Sequence, residues 1–317
     1  MNNLSVSNLI GIKYLDKNDL NLIFQMATSF KEVINRPIKK VPSLRDFTIA
    51  NLFFEDSTRT KLSFEIAEKR LSADLINFSI SGSSIQKGES LLDTVNNILA
   101  MKVDMIVLRH PNPGAALYLT QKVDASVINA GDGTHEHPTQ GLLDCYSLLE
   151  KFGSLKGKKI AIVGDITHSR VALSNVYALK KLGAEICLCS PKSLIPVNAQ
   201  NLGVELSSNL LETLKWSDAV NMLRVQKERI DKTVIPDLRD YSLQYGLTKS
   251  LIEKLDKQIF ILHPGPINRG IEITSEVADS DQAIILDQVE NGVAVRMAVI
   301  YLLASKQKIV PNENYSS

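Results

Sequence analysis

Several short segments of this 317-residue chain group residue types that bind small anions. Ser57-Thr58-Arg59-Thr60 place three hydroxyls and a guanidinium just after an apolar run and just before a helical pattern. A strand end followed by a helix start gathers backbone N–H groups around one point, and a planar guanidinium suits a tetrahedral oxyanion. That is a phosphate cradle that does not need glycine. The same spacing also fits Ser57 or Asp56 as a plain helix N-cap.

Other apolar runs lead into similar segments. Arg109-His110-Pro111 follows one, and Gly131 to Gln140 follows the next, with His135, His137 and Gln140 in it. His135 and His137 could suggest a metal. Zinc or iron would need further ligands, and five His with no Cys cluster do not supply them. A neutral His and the Gln140 amide, both donors, suit polarising a carbonyl oxygen instead. Gly164 to Arg170 occupies the place of a dinucleotide fingerprint but lacks its glycines, so NAD is weakly supported. Arg170 there suits a carboxylate better than a pyrophosphate. Arg224-Val225-Gln226 offers a further strand-end arginine, or a solvated helix start. His263-Pro264-Gly265-Pro266 is a stiff loop whose carbonyls suit an amine. Residues 81–90, small and polar around Lys87, read as a lid, an arm reaching a neighbour, or an ordinary surface loop.

These segments need elements to hold them. Apolar runs at 49–54, 74–78, 105–108, 126–130, 159–163, 185–189, 219–222 and 259–262 alternate with helical patterns at 61–71, 91–101, 142–152 and 172–182. The spacing also predicts a first helix over 19–34 with Asp19 as N-cap. Alternating strands and helices imply an α/β fold of two domains, each a parallel sheet flanked by helices. A polar link at 152–158 places the boundary, giving domains at 1–150 and 151–288. An apolar helix at 289–305 is expected to pack back on the first. In such sheets ligands collect beyond the strands' C-terminal ends, where these segments lie.

Composition narrows the classes of function. Thirty-six basic residues against 35 acidic leave a net charge of +1, without the basic excess that nucleic acid requires. Three cysteines are too few and too odd for a disulfide framework, and Cys187 with Cys189 reads as strand core. No apolar run of about 18 residues occurs, and the N-terminus lacks the form of a signal peptide, so a soluble cytoplasmic protein is expected.

Taken in order, these motifs resemble those of the aspartate/ornithine carbamoyltransferase family, from about Phe47 to Arg296. The segments carrying the resemblance begin at Ser57, Lys87, Arg109, His137, His168, Arg224 and His263. Arg170, Arg224-Val225-Gln226 and His263-Pro264-Gly265-Pro266 look like its aspartate branch; the ornithine branch typically has His-Cys-Leu-Pro at the last position.

The resemblance implies an active site in the cleft between two domains and transfer of the carbamoyl group of carbamoyl phosphate to L-aspartate. Ser57, Thr58, Arg59 and Thr60 would hold the phosphate, with Arg109 bridging toward the carbonyl. Thr60 and His137 would donate to the carbonyl oxygen, while Gln140 and the backbone of Gly265 and Pro266 hold the carbamoyl nitrogen. Arg170, Arg224 and Gln226, with Lys87, would bind aspartate. It further implies a homotrimer with shared sites, Ser83 and Lys87 coming from the neighbour, and no metal or other cofactor. Regulatory or dihydroorotase chains are possible partners; nucleic acid and membrane are not expected.

Overall fold

The computed structural model describes residues 3–79, 89–226 and 237–309. The chain packs into two units, Met1–Thr139 with Asn291–Ser317, and Gln140–Glu290.

In the first unit β1 (Thr48–Phe53), β2 (Asp74–Ser79), β3 (Met105–His110) and β4 (Ser126–Asp132) form a parallel sheet ordered β2-β1-β3-β4. Its helices are α1 (Lys17–Ile34), α2 (Thr58–Leu71), α3 (Leu91–Ala100) and α4 (Ala115–Thr120). Alternate strand residues Ala50, Leu52, Ile106 and Leu108 pack against Val95, Ile98, Ala116 and Leu119. Burial on both faces is why β1, β3 and most of β4 read as apolar runs, whereas none of residues 74–78 in β2 is buried. A buried polar pair lies under α2. Asn51 donates to Glu68 at 2.8 Å, and burial pushes the Glu68 carboxyl up to about 8.

The strand ends run further than the apolar runs imply. Arg109 pairs with Phe53 inside the ladder and His110 with Asp132, so both belong to β3 rather than to the loop after it. Backbone pairing tolerates polar side chains at a strand's end, where the side-chain pattern stops reporting it. At α1 the N-cap is Asp16, not Asp19. The two form a reciprocal capping box, in which Asp19 serves the third helical position.

The second unit contains α5 (Pro138–Phe152), β5 (Lys159–Val163), α6 (Arg170–Lys181), β6 (Glu185–Cys189), β7 (Glu205–Ser207), α7 (Leu210–Trp216) and β8 (Ala219–Met222). After them come α8 (Leu238–Tyr245), α9 (Lys249–Ile252), β9 (Phe260–Leu262), α10 (Ser275–Ala278) and α11 (Ile285–Ile309). The five strands are parallel in the order β7-β6-β5-β8-β9. β7 has only three residues and no buried one, so no apolar run announces it. Cys187 and Cys189 lie buried and free on β6. By packing, the division between the units falls inside α5 and α11. Continuous helices carry no change of composition at those points. Among the described residues no helix is long and apolar enough to cross a membrane.

Gly164, just after β5, has φ of +125°. A Cβ there would lie 3.1 Å from the Leu223 carbonyl oxygen and 3.2 Å from the Tyr241 hydroxyl. Gly164→Ala should therefore cost about 1–3 kcal/mol of stability through backbone strain. Urea unfolding measures this; an unchanged midpoint would contradict the constraint.

Candidate active site

In the first unit the Ser57–Thr60 segment sits where β1 gives way to α2. Ser57 occupies the N-cap position, yet its side chain makes no cap hydrogen bond. Six other helices are capped: Asp16, Ser90, Ser169, Asn209, Asp237 and Thr248 each accept from their own helix start, while Thr274 before the one-turn α10, like Ser57, does not. The plain N-cap reading of Ser57 therefore lacks its bond. Thr58 and Arg59 are exposed, Ser57 and Thr60 half-buried. A helix start without an internal acceptor has N–H groups and dipole available to an outside anion.

Arg109 is held firmly beside this start. Its guanidinium pairs with Glu55 at 2.8 Å and donates to the Ala130 carbonyl at 3.0 Å, while its own carbonyl accepts from Phe54 N–H. Glu55 was not apparent from the sequence as an orienting group. His110 has a structural place instead: Nδ1 accepts from Asn112 N–H, the ring lies 5.3 Å from that of Phe54, and burial lowers its pKa. From the C-terminal end of the chain, Arg296 donates to Ser63 on α2 at 3.0 Å and stacks over Phe64.

The segment after β4 separates its two histidines. His135 Nδ1 meets the Asp132 carboxylate at 3.1 Å, and that bond raises the imidazole pKa. Asp132 also accepts from Asn129, Gly114 and Glu136. Glu136 in turn accepts from the backbone of Ile12 and Lys13. His137 is buried and immediately precedes α5. Among the described residues no three His, Cys, Asp or Glu gather as a metal site.

In the second unit Arg170 is buried at the first position of α6, behind the working cap Ser169. Asp165 Oδ1 lies 2.8 Å from His168 Nδ1 and accepts the His168 N–H. Burial raises the Asp165 carboxyl, and the bond from His168 pulls it back. In the loop after β8, Arg224 and Gln226 are half-buried. The 263–270 segment is tied to that loop. His263 Nε2 meets Glu272 at 3.1 Å, Glu272 accepts from Asn268, and Asn268 donates to the Val225 carbonyl. The Gly265–Pro266 peptide is cis.

Gln140 differs from its sequence reading. Its nitrogen donates to the buried carboxylate of Asp144 at 2.8 Å, so it is not the donor partner of His137. Its carbonyl oxygen is the end left for a ligand. Asp144 lies one helical turn on, within an apolar stretch that hid it. Ser83 and Lys87 lie outside the described residues, as do 227–229.

The chain matches the family model for the aspartate/ornithine carbamoyltransferase carbamoyl-P binding domain over residues 7–150. It matches the Asp/Orn binding domain model over residues 156–303. The chain belongs to the aspartate/ornithine carbamoyltransferase family. It is 67% identical over 308 residues to the aspartate carbamoyltransferase catalytic subunit of Flavobacterium psychrophilum, covering 97% of this chain and 100% of that one. Aspartate transcarbamoylase from Trypanosoma cruzi, solved with N-(phosphonacetyl)-L-aspartic acid, superposes with a TM-score of 0.84 at 28% identity, covering 93% and 94% of the two chains. Ornithine carbamoyltransferase from Pyrococcus furiosus reaches the same TM-score at 26% identity, covering 95% and 98%. Within this family the backbone alone does not separate the two branches.

The His135–Asp132 pair makes stability depend on pH in a definite direction. The folded pKa lies above the ordinary 6.5, so the contribution is complete below that value and fades as pH rises through the raised folded value. His135→Ala should lose more unfolding free energy at about pH 5.5 than at about pH 9. Equal losses in urea titrations at both pH values would contradict the pairing.

Proposed function

We propose that this chain catalyses transfer of the carbamoyl group from carbamoyl phosphate to the α-amino group of L-aspartate, giving N-carbamoyl-L-aspartate and phosphate. This is an early step of pyrimidine synthesis. The observation that carries the reading is the α2 start. Three hydroxyls and Arg59 belong to a helix start at which Ser57 makes no side-chain cap bond, in the part of the chain matching a carbamoyl-P binding domain. On the acceptor side Arg170 and Arg224 favour an amine with two carboxylates over one, such as ornithine, carrying a second cationic amine. The near full-length identity to aspartate carbamoyltransferase catalytic subunits supports the same choice.

The mechanism is direct acyl transfer. Ser57, Thr58, Arg59 and Thr60 bind the phosphate, and Arg109, fixed by Glu55 and Ala130, bridges to the carbonyl side. Gln140 and the backbone of Gly265 and Pro266 accept from the carbamoyl nitrogen. Arg170, Arg224 and Gln226 hold the aspartate carboxylates. The neutral α-amine attacks the carbamoyl carbon, and an oxyanion develops that Thr60, Arg109 and His137 stabilise as donors. The C–N bond forms, the C–O bond to phosphate breaks, and the departing phosphate takes the amine proton. Holding two small anions at fixed donors replaces a bimolecular encounter with an oriented one. No step needs a nucleophilic side chain or a metal.

The enzyme works, in this reading, as a cytoplasmic homotrimer, with Ser83 and Lys87 supplied by the neighbouring copy.

Purified protein given carbamoyl phosphate should form carbamoyl aspartate from aspartate and no citrulline from ornithine. The reverse result would overturn the substrate. Arg59→Ala should lower kcat/KM by ~10²–10³, with its thermal unfolding unchanged; near-normal turnover would remove the phosphate cradle. Light scattering should give three times the chain mass of 35.1 kDa, and a monomer mass would exclude the shared site.

A further inference from the structure

Asp144 is an acidic group buried without any exposure, and no Lys, Arg or His of the described residues forms an ion pair with it. Four carboxamides surround it instead. Oδ1 accepts from Gln140 at 2.8 Å and Gln288 at 2.7 Å, and Oδ2 from Asn175 at 2.8 Å and Asn221 at 3.1 Å. These come from α5, α11, α6 and β8. A buried carboxylate costs several kcal/mol unless such donors satisfy it, so the arrangement is not incidental packing.

A carboxylate only accepts, so each amide facing it must turn its NH₂ inward and its carbonyl outward. For Gln288 the outward oxygen accepts the His263 N–H at 3.0 Å, at the start of the 263–266 loop. For Gln140 no donor among the described residues meets the outward oxygen. Asn175 stands on the helix that begins with Arg170, and Asn221 on the strand that leads to Arg224. One carboxylate therefore touches α5 and α6, which carry Gln140 and Arg170, and β8, which leads to Arg224, and it reaches the 263–266 loop through Gln288.

We propose that Asp144 is a positioning residue of the transfer reaction. It sets the amide orientation of Gln140, so that the carbonyl oxygen accepts from the carbamoyl nitrogen, and through Gln288 it holds the 263–266 backbone that serves the same nitrogen. The inference rests on the carbamoyl-transfer reading. Wild-type turnover with aspartate reports on that reading, and the variants report on Asp144.

Asp144→Asn presents donors to half of the amides. It should lower kcat/KM for carbamoyl phosphate by about 10–100-fold, the usual cost of a lost orienting partner. In a Gln140→Ala background the same change should cost clearly less than it does alone, because one of the two amides through which it acts is gone. Fully additive losses in an active wild-type enzyme would overturn the proposal.

Gln140→Glu tests the orientation without touching Asp144. The groups facing this pair are the uncharged amides of Asn175, Asn221 and Gln288, with the buried Cys145 thiol nearby. Two carboxyls sharing one proton raise the pKa of the pair. The introduced carboxyl, while protonated, would donate inward and show a carbonyl outward, as the native amide does. The ratio of variant to wild-type kcat/KM should therefore fall as pH rises from about 6 to about 9. A ratio that is flat with pH would show that Gln140 does not act as an acceptor held by Asp144, and would overturn the proposal.

Discussion

A parallel sheet releases every strand at the same edge, and backbone groups arriving there have no further ladder to join. Both sheets of this chain are of that kind. Their exits are satisfied partly by backbone bonds between neighbouring exits, such as Gly164 to Cys189 and Leu223 to Val163, and partly by buried carboxylates. Asp132 accepts around the exit of β4, Asp165 around that of β5, and Glu272 around the loop that follows β9. These carboxylates accept inside the loops, among the residues of the candidate site.

The same logic explains why a chain of almost neutral total charge suits two anionic substrates. The acids nearest the strand exits are committed to backbone N–H groups, amides or histidines, so their charge is already answered locally. Arg109 is the partial exception. It is paired with Glu55, which keeps a planar donor oriented. Net charge describes the whole surface, and binding depends on where the few arginines end.

Helix capping draws a second distinction. Ser169 closes the start of α6 in the ordinary way, so a ligand there meets the Arg170 side chain and not a free helix terminus. Ser57 leaves α2 open. Two helix starts with similar sequence chemistry thus offer different things, a dipole with N–H groups in one unit and a fixed guanidinium in the other.

The alternation of apolar runs and helical patterns determined the α/β class, since strands covered on both faces must be apolar throughout. Among the described residues, eight of the nine strands coincide with apolar runs; β2 does so although none of residues 74–78 is buried, and exposed β7 does not. The groups at strand exits were also legible, because Ser57, Arg109, Arg170 and Arg224 follow apolar runs. Their local roles were not. Whether Ser57 caps its helix, which way the Gln140 amide turns, and that His135 serves Asp132 depend on partners distant in space or on φ and ψ. Asp144 shows the limit most clearly. By sequence it is one acid in an apolar helix, and only packing brings Asn175, Asn221 and Gln288 to it from far along the chain. Periodicity reports the environment of a face averaged over many residues. Hydrogen-bond direction belongs to single atoms, and the tertiary structure alone decides it.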